Sequence, residues 1–216
     1  MFESQQEWQN PRLQYDSRQA MTLLSSPYRY ATPDDALAMT ELVNIAGEGL
    51  PLHLWTTLAE PEGSPWDIGQ QRARRDNGSF SYRNTILIEL GGDVVSALIS
   101  YPLPDQREPV NCEELPEIVV PLQELEDLVP GTWYINVLAT YPEHRGSGYG
   151  AGLLSIAEQL AADAGKTSMS IIVSDANTGA RRLYERHGYT ELAARPMIKE
   201  SWENTGKTWV LLEKRF

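Results

Sequence analysis

Val137-Leu-Ala-Thr-Tyr-Pro-Glu-His-Arg-Gly-Ser-Gly-Tyr-Gly-Ala-Gly152 places four glycines, at 146, 148, 150 and 152, between a β-type run and a helical one. Glycine reaches backbone angles closed to other residues and lets the main chain come within hydrogen-bond distance of a ligand. Free N–H groups at a helix start, with the positive end of the helix dipole, form an anion site, and Arg145 adds a fixed charge. A phosphate or pyrophosphate is the guest such a segment suits. A P-loop would close on Gly-Lys-Ser/Thr, which is absent. Gly146-Ser-Gly-Tyr-Gly-Ala151 does fit the dinucleotide hexapeptide G-x-G-x-x-A. That fold runs straight from strand into loop and needs a second βαβ half, whereas Pro142-Glu-His-Arg145 intervenes here and only about 65 residues remain. A glycine turn serving packing alone is the bland alternative.

Working outward, Thr132–Thr140 reads as a strand, and Gly150–Ala164 as a helix with Leu153, Ala157, Leu160, Ala161 and Ala164 on one face. Ser168–Val173 is a buried-type strand. Asn177–His187 is a short helix closed by Gly188, and Tyr189–Ala194 and Lys207–Glu213 are the last strands. Upstream, Tyr28–Ala31 is a strand, and Thr32-Pro-Asp-Asp35 opens a helix through Leu37, Met39, Leu42, Val43 and Ala46 that Gly47 or Gly49 stops. Ser64-Pro-Trp-Asp67 opens a second helix that runs to Asn77-Gly78. The apolar link Gly49–Trp55 is expected to be a loop that packs over the core or lines a pocket. Thr85–Leu90 and Val94–Tyr101, joined by Gly91-Gly-Asp93, form a hairpin. The expectation is one mixed α/β domain over 27–216, behind a flexible leader over 1–26 in which Met21 is an alternative start.

Composition bounds the setting. The chain has 216 residues, 18 Lys plus Arg against 30 Asp plus Glu, and a net charge of −12. Such a balance repels nucleic acid and anionic membranes and allows steering of cationic partners. No run approaches the ~20 apolar residues of a membrane helix, and the first residues do not resemble a signal peptide. A lone cysteine, Cys112, excludes an internal disulfide and a cysteine-rich metal cluster, so a reducing, cytoplasmic setting is expected. His53, His144 and His187 show no metal spacing, and no metal is expected. Residues 111–130 carry six acids, Glu113, Glu114, Glu117, Glu124, Glu126 and Asp127, and no Lys or Arg. They read as a solvated loop or as a cation-attracting rim.

Three pieces, in order, resemble the GNAT acyltransferases, the GCN5-related N-acetyltransferase superfamily. Arg145-Gly-Ser-Gly-Tyr-Gly150 matches its (Gln/Arg)-x-x-Gly-x-(Gly/Ala) pyrophosphate loop. Leu138-Ala-Thr-Tyr-Pro-Glu-His144 resembles the strand exit before that loop. Asn177-Thr-Gly-Ala-Arg-Arg-Leu-Tyr-Glu-Arg-His-Gly-Tyr189 resembles the N-x-x-A-x-x-x-Y-x-x-x-G-F stretch of the following helix.

The resemblance implies a mostly antiparallel mixed sheet flanked by helices, with two central parallel strands, Thr132–Thr140 and Ser168–Val173, splayed to hold acetyl-CoA or a related acyl-CoA. It places a bulge near Val137–Thr140, with the N–H of Leu138 or Ala139 toward the thioester oxygen and Thr140 beside the pantetheine arm. The amides of Arg145, Gly146, Ser147, Gly148, Tyr149 and Gly150 would hold the pyrophosphate, and Asn177 would lie against the CoA arm. Tyr184 corresponds to the tyrosine that protonates the departing thiolate; on its residues alone, a core aromatic is the alternative. Many relatives carry a Glu base where Asn136 stands, and Asn cannot take a proton. Tyr134, on the same side of the strand, could act through a water, and Glu48 and Glu89 are further candidates. Trp55 and Trp66 fall where the family shapes its acceptor pocket, although a core role suits each.

The implied activity is N-acetylation of a small primary amine. An N-acetyltransferase of protein N-termini or lysines, and a non-catalytic acyl-CoA-binding module, are the alternatives. Arg195–Asn204 could cap the cleft or reach a second copy, which leaves a homodimer open.

Overall fold

Thr32 turns the chain out of the first strand: its backbone N–H donates to the Asp35 carboxylate at 2.7 Å, and Pro33 supplies the fixed φ of a first helical turn. From there the computed structural model, which describes residues 23–106 and 115–216, follows the expected order with two additions. The strands are β1 (Tyr28–Tyr30), β2 (Thr85–Leu90), β3 (Asp93–Pro102), β4 (Trp133–Thr140), β5 (Ser168–Ser174), β6 (Thr190–Pro196) and β7 (Thr208–Arg215). The helices are α1 (Ala36–Ala46), α2 (Leu50–Leu58), α3 (Pro65–Ala73), α4 (Val120–Glu126), α5 (Tyr149–Asp163) and α6 (Thr178–Arg186). The expected leader and the alternative start at Met21 lie almost wholly outside the described residues, as does Cys112.

The first addition corrects the reading of Gly49–Trp55 as a loop: it is the start of α2. Pro51 sits in the first turn, where a missing N–H costs nothing, and Leu50 and Trp55 are the buried face. The second is α4, which rises from the acidic stretch read as a loop or rim; Pro121 is in its first turn and Leu125 is fully buried. Helix α3 stops at Ala73, short of Asn77-Gly78.

The strands make one sheet in the order β1-β2-β3-β4-β5-β7-β6. Every neighbouring pair is antiparallel except β4 and β5. This one mixed α/β domain has two cores. One packs α1, α2, α3 and α4 on the sheet through Met39, Leu42, Trp55 and Leu125. The other packs α5 and α6 on the opposite face through Leu153, Ala157, Leu160 and Tyr184. Strand alternation divides β4 between them: Trp133 and Ile135 point to α5, Tyr134 and Val137 to α1. Trp55 stacks on Phe80 with 6.1 Å between centroids and meets Trp66 edge-on, so its role is in the core.

Two features open the centre of the sheet. The register of β3 on β4 shifts between Ile99–Val137 and Ser100–Ile135, which leaves Asn136 unopposed as a bulge. The bulge therefore falls one residue ahead of the expected Val137–Thr140. Parallel pairing of β4 with β5 covers only Trp133–Met169, Tyr134–Ser170 and Ile135–Ile171, and stops at that same bulge. Beyond it the two strands are no longer hydrogen-bonded to each other.

Helix α5 lies close on β1 because Gly152 has no side chain: a Cβ there would run into the Tyr28 hydroxyl. Gly→Ala in a helix interior ordinarily stabilises by about 1 kcal/mol. Gly152→Ala is expected instead to cost about 1–3 kcal/mol through overpacking, and Tyr28→Phe, which removes the obstructing oxygen, to recover most of it. Urea denaturation of the two single variants and the double variant checks both signs.

Candidate active site

Strand alternation orients the amides at the gap. The Tyr141 N–H donates to Val95 O across the β3 ladder at 3.0 Å. With period two, the Ala139 N–H also points toward β3, while those of Leu138 and Thr140 point into the gap beside β5. Of the two amides named for a thioester oxygen, Leu138 and Ala139, only that of Leu138 points into the gap. Thr140 is tied down by its hydroxyl, 2.8 Å from Ser96 Oγ, and its carbonyl accepts from Arg145 Nε at 3.2 Å. The Arg145 guanidinium is thereby fixed at the mouth of the glycine loop.

The loop carries the predicted geometry. Pro142–His144 makes one 3₁₀ turn, and Gly146 and Gly148 take φ of 80° and 84°, angles that L side chains rarely adopt. The N–H groups of Gly146, Ser147, Gly148, Tyr149, Gly150 and Ala151 have no hydrogen-bond acceptor among the described residues; the first return bond is Gly152 N–H to Gly148 O at 3.1 Å. Six consecutive amides open α5 toward solvent at its positive end, which is the chemistry a pyrophosphate requires. Gly150 lets Leu183 of α6 approach: a Cβ would sit 3.0 Å from Leu183 Cδ2. Tyr149 packs against the α5–α6 core.

That contact brings the next motif to the loop. Asn177 caps α6, its Oδ1 accepting from Ala180 N–H at 3.2 Å. Tyr184 is 3 % exposed, and its ring lies 5.9 Å from that of Tyr189. Burial pushes its phenol above the ordinary range, and its hydroxyl has no hydrogen-bond partner among the described residues. The ring is packed, as the core reading expects, and among the described residues the hydroxyl is left without a partner.

On the opposite face of β4, Asn136 Nδ2 donates to Tyr101 Oη at 3.1 Å, and the Tyr101 and Tyr134 rings meet edge-on at 5.8 Å. Burial, then the charge of Glu126, raises both phenols well above their ordinary range. Tyr134 is thus held protonated and can donate a hydrogen bond. The other base candidates are engaged. Glu89 accepts from Arg29 Nε, and Glu48 Oε2 accepts from Asn204 Nδ2 at 2.7 Å.

Glu48 belongs to a clasp. The 197–207 connection between β6 and β7 crosses to the α1–α2 junction, where Trp202 Nε1 donates to Glu48 O at 3.1 Å and Glu200 Oε2 lies 3.8 Å from His53 Nε2. Trp202 stacks on Trp209, with 5.9 Å between centroids and 7° between planes. Since α1 packs on β4, and Trp209 pairs with Ser174 at the far end of β5, this segment bridges the two sides of the gap.

The sequence does not show the setting of Glu126. It lies at the C-terminal end of α4, partly buried, beside Leu125, which packs in one cluster with Tyr101 and Tyr134. Burial, and then the neighbouring Asp127, push its carboxyl up to about 7. Its place in an acid-rich run masked it; only the α4 pattern Ile118, Leu122, Leu125 hinted that the segment packs inward.

Among the described residues no group of three His, Cys, Asp or Glu side chains is placed to hold a metal ion, and no helix is long and apolar enough to cross a membrane.

A sheet parted at its one parallel pair, with a row of free amides at the parting, defines an acyltransferase-type scaffold, and comparison with known proteins agrees. The acetyltransferase (GNAT) family model matches residues 51–189. The chain belongs to the GNAT acetyltransferase family. Solved structures share the fold. An N-acetyltransferase from Staphylococcus aureus Mu50 is 18% identical, with TM-score 0.58 over 86% of this chain and 98% of that one. An agmatine N-acetyltransferase variant in its apo form is 16% identical, with TM-score 0.62 over 88% and 98%. YncA from Salmonella typhimurium, solved with acetyl-CoA, is 20% identical, with TM-score 0.54 over 87% and 92%. No curated protein matches the sequence.

The Glu126 shift has a stability consequence. A carboxyl whose pKa is higher folded than unfolded favours the fold when protonated, so its ionisation is penalised in the native state. The penalty is absent below about pH 4.5, grows as pH rises and is complete above about pH 7. Glu126→Gln is expected to raise stability at pH 8 by about 1–2 kcal/mol, a value reduced for partial exposure, and to change nothing near pH 4. Thermal melts across that range check it.

Proposed function

We propose that the protein transfers an acetyl group from acetyl-CoA to the primary amine of a small molecule. The observation that carries this reading is the row of six free amides, 146–151, beside the gap between β4 and β5. The fit to CoA rests on the chemistry of that row: consecutive donors at a helix N-terminus, with Arg145 beside them, match a pyrophosphate, and the unpaired strand edges match an amide-bearing pantetheine arm. When bound, acetyl-CoA supplies an activated thioester carbonyl.

The chain's own groups would then divide the work. The Leu138 N–H, fixed in the gap, donates to the oxygen that gains negative charge as the amine attacks. Tyr184, protonated at neutral pH and with its hydroxyl unpartnered, delivers a proton to the leaving sulfur. The Asn177 side-chain amide, at the head of α6, is free to bond the CoA arm. Asn136, at the bulge, orients the acceptor on the α1 face. The 197–207 clasp favours a small amine over a polypeptide, because its bonds to Glu48 cross the acceptor side. A net charge of −12 favours a cationic acceptor, and the reading places the enzyme in the cytoplasm.

Acetyl-CoA at a hundredfold excess over its dissociation constant is expected to stabilise by about 2.7 kcal/mol, a Tm rise of about 5–10 °C for a chain of this size. CoA should act likewise, and NAD and ATP should not. Tyr184→Phe should keep this shift and lower kcat about 10²-fold. No shift with any acyl-CoA removes the cofactor reading. A shift with no transfer to any amine or short peptide favours the non-catalytic binding module, and transfer to peptides alone favours the protein-modifying reading.

A further inference from the structure

Asn136 is the one exposed residue of β4, while every residue of β5, and every residue of β3 beyond Asp93, is buried or half-buried. Within these three central strands, solvent therefore opens fully onto a single side chain past the hairpin turn. It does so at the bulge, where β3 skips Asn136 and pairing with β5 stops. The two ends of that side chain are not alike: the nitrogen carries two donors, and the oxygen accepts. Nδ2 donates to Tyr101 Oη at 3.1 Å, and among the described residues Oδ1 accepts from none. Tyr101 itself is fixed. It is 2 % exposed, stands opposite Tyr134 in the β3–β4 ladder and meets that ring edge-on at 5.8 Å.

Resting on the acetyltransferase reading, we propose that Tyr101 is a positioning residue: by engaging Asn136 Nδ2 it leaves the Asn136 carbonyl oxygen to receive the acceptor amine. The orientation decides whether the bound amine can react. A neutral primary amine has two N–H donors and one lone pair. Held by Oδ1 through an N–H, it keeps the lone pair free to attack. Held by Nδ2, it would use the lone pair as the hydrogen-bond acceptor, and the pose would be unreactive. In the reactive pose the lone pair forms the C–N bond and the C–S electron pair leaves on sulfur. Of the two amine protons, one ends on sulfur and one stays in the amide.

The spacing along the strand suits this assignment. Asn136 and Leu138 are two residues apart, about 7 Å in extended chain. A thioester oxygen bonded to the Leu138 N–H and a nitrogen bonded to Asn136 Oδ1 each sit about 3 Å from their partners, so the pair fits within that separation. The directions match as well. The Leu138 N–H points into the gap, and the Asn136 side chain reaches toward Tyr101 in the core on the α1 face. An amine arriving from that face meets the thioester without crossing the row of amides on the α5 side.

The test uses the full chain with saturating acetyl-CoA and propylamine at pH 9, where more of an alkylamine is neutral than at pH 7. Tyr101→Phe keeps the ring and removes only the oxygen. It is expected to lower kcat about tenfold without raising KM for propylamine, because a misdirected amide still holds the amine, unproductively. Acetyl-CoA should raise its Tm as it does that of wild type. Asn136→Asp has two like oxygens and no wrong end to present, so adding Tyr101→Phe to it should cost less than about twofold more in kcat. The same loss in both backgrounds overturns the proposal, and so does a rise in KM with kcat unchanged. Independently of turnover, the side-chain ¹⁵N–¹H signal absent from Asn136→Asp should move on Tyr101→Phe, and again when millimolar propylamine is added to the CoA complex. A signal that ignores either change overturns the proposal even if propylamine is not acetylated. Failure of the acetyltransferase reading itself would show differently, as a wild-type protein whose Tm acetyl-CoA leaves unchanged.

Discussion

The short parallel contact between β4 and β5 governs this molecule. Three residue pairs hold the strands together, backed by a buried hydroxyl pair, Thr132 Oγ1 and Ser170 Oγ, 2.7 Å apart. Beyond Ile135 and Ile171 each strand keeps its outer antiparallel partner and loses its inner one. A sheet cannot leave main-chain donors unpaired at its centre without cost unless solvent or a ligand meets them. The bulge at Asn136 changes the twist where pairing stops and makes the parting a built feature of the fold.

Each side of that parting has its own chemistry. On the α5–α6 side it is backbone chemistry: glycines at positive φ, a helix start and free amides, with Arg145 the one charged side chain that the loop motif contributes. This is compatible with an acidic protein because the donors are dipoles fixed in place, acting over a few ångströms whatever the net charge. On the α1–α4 side it is side-chain chemistry: Asn136 donates to Tyr101, whose ring meets that of Tyr134, and the 197–207 clasp bonds Glu48.

Much of this was legible beforehand. The β2–β3 hairpin, β4, the glycine loop, α5, β5 and α6 read from period and punctuation to within a residue or so, because each has a local cause: Gly91-Gly92 at the turn, alternating apolar residues in strands, Asn177 at a cap. The two missed helices share a physical reason. Helices α2 and α4 are 9 and 7 residues long, each opens with a proline, and neither is stable by propensity alone; packing of Leu50, Trp55 and Leu125 into the core makes them helical. Glu126 was hidden for the same reason, since an acid in a solvated loop and one on a packed helix look alike in one dimension.

By itself the sequence determined the element order, the glycine loop between a strand and a helix, and the tyrosine-bearing helix that follows, because short-range sterics and capping act over a few residues. Only the tertiary structure decided which amide, Leu138 rather than Ala139, faces the gap, since that depends on the register with β3. It also decided that Glu48 and Glu89 are engaged, because partners 156 and 60 residues apart meet only when the sheet is assembled. Contacts over such separations are set by how the layers pack, and no local pattern encodes them.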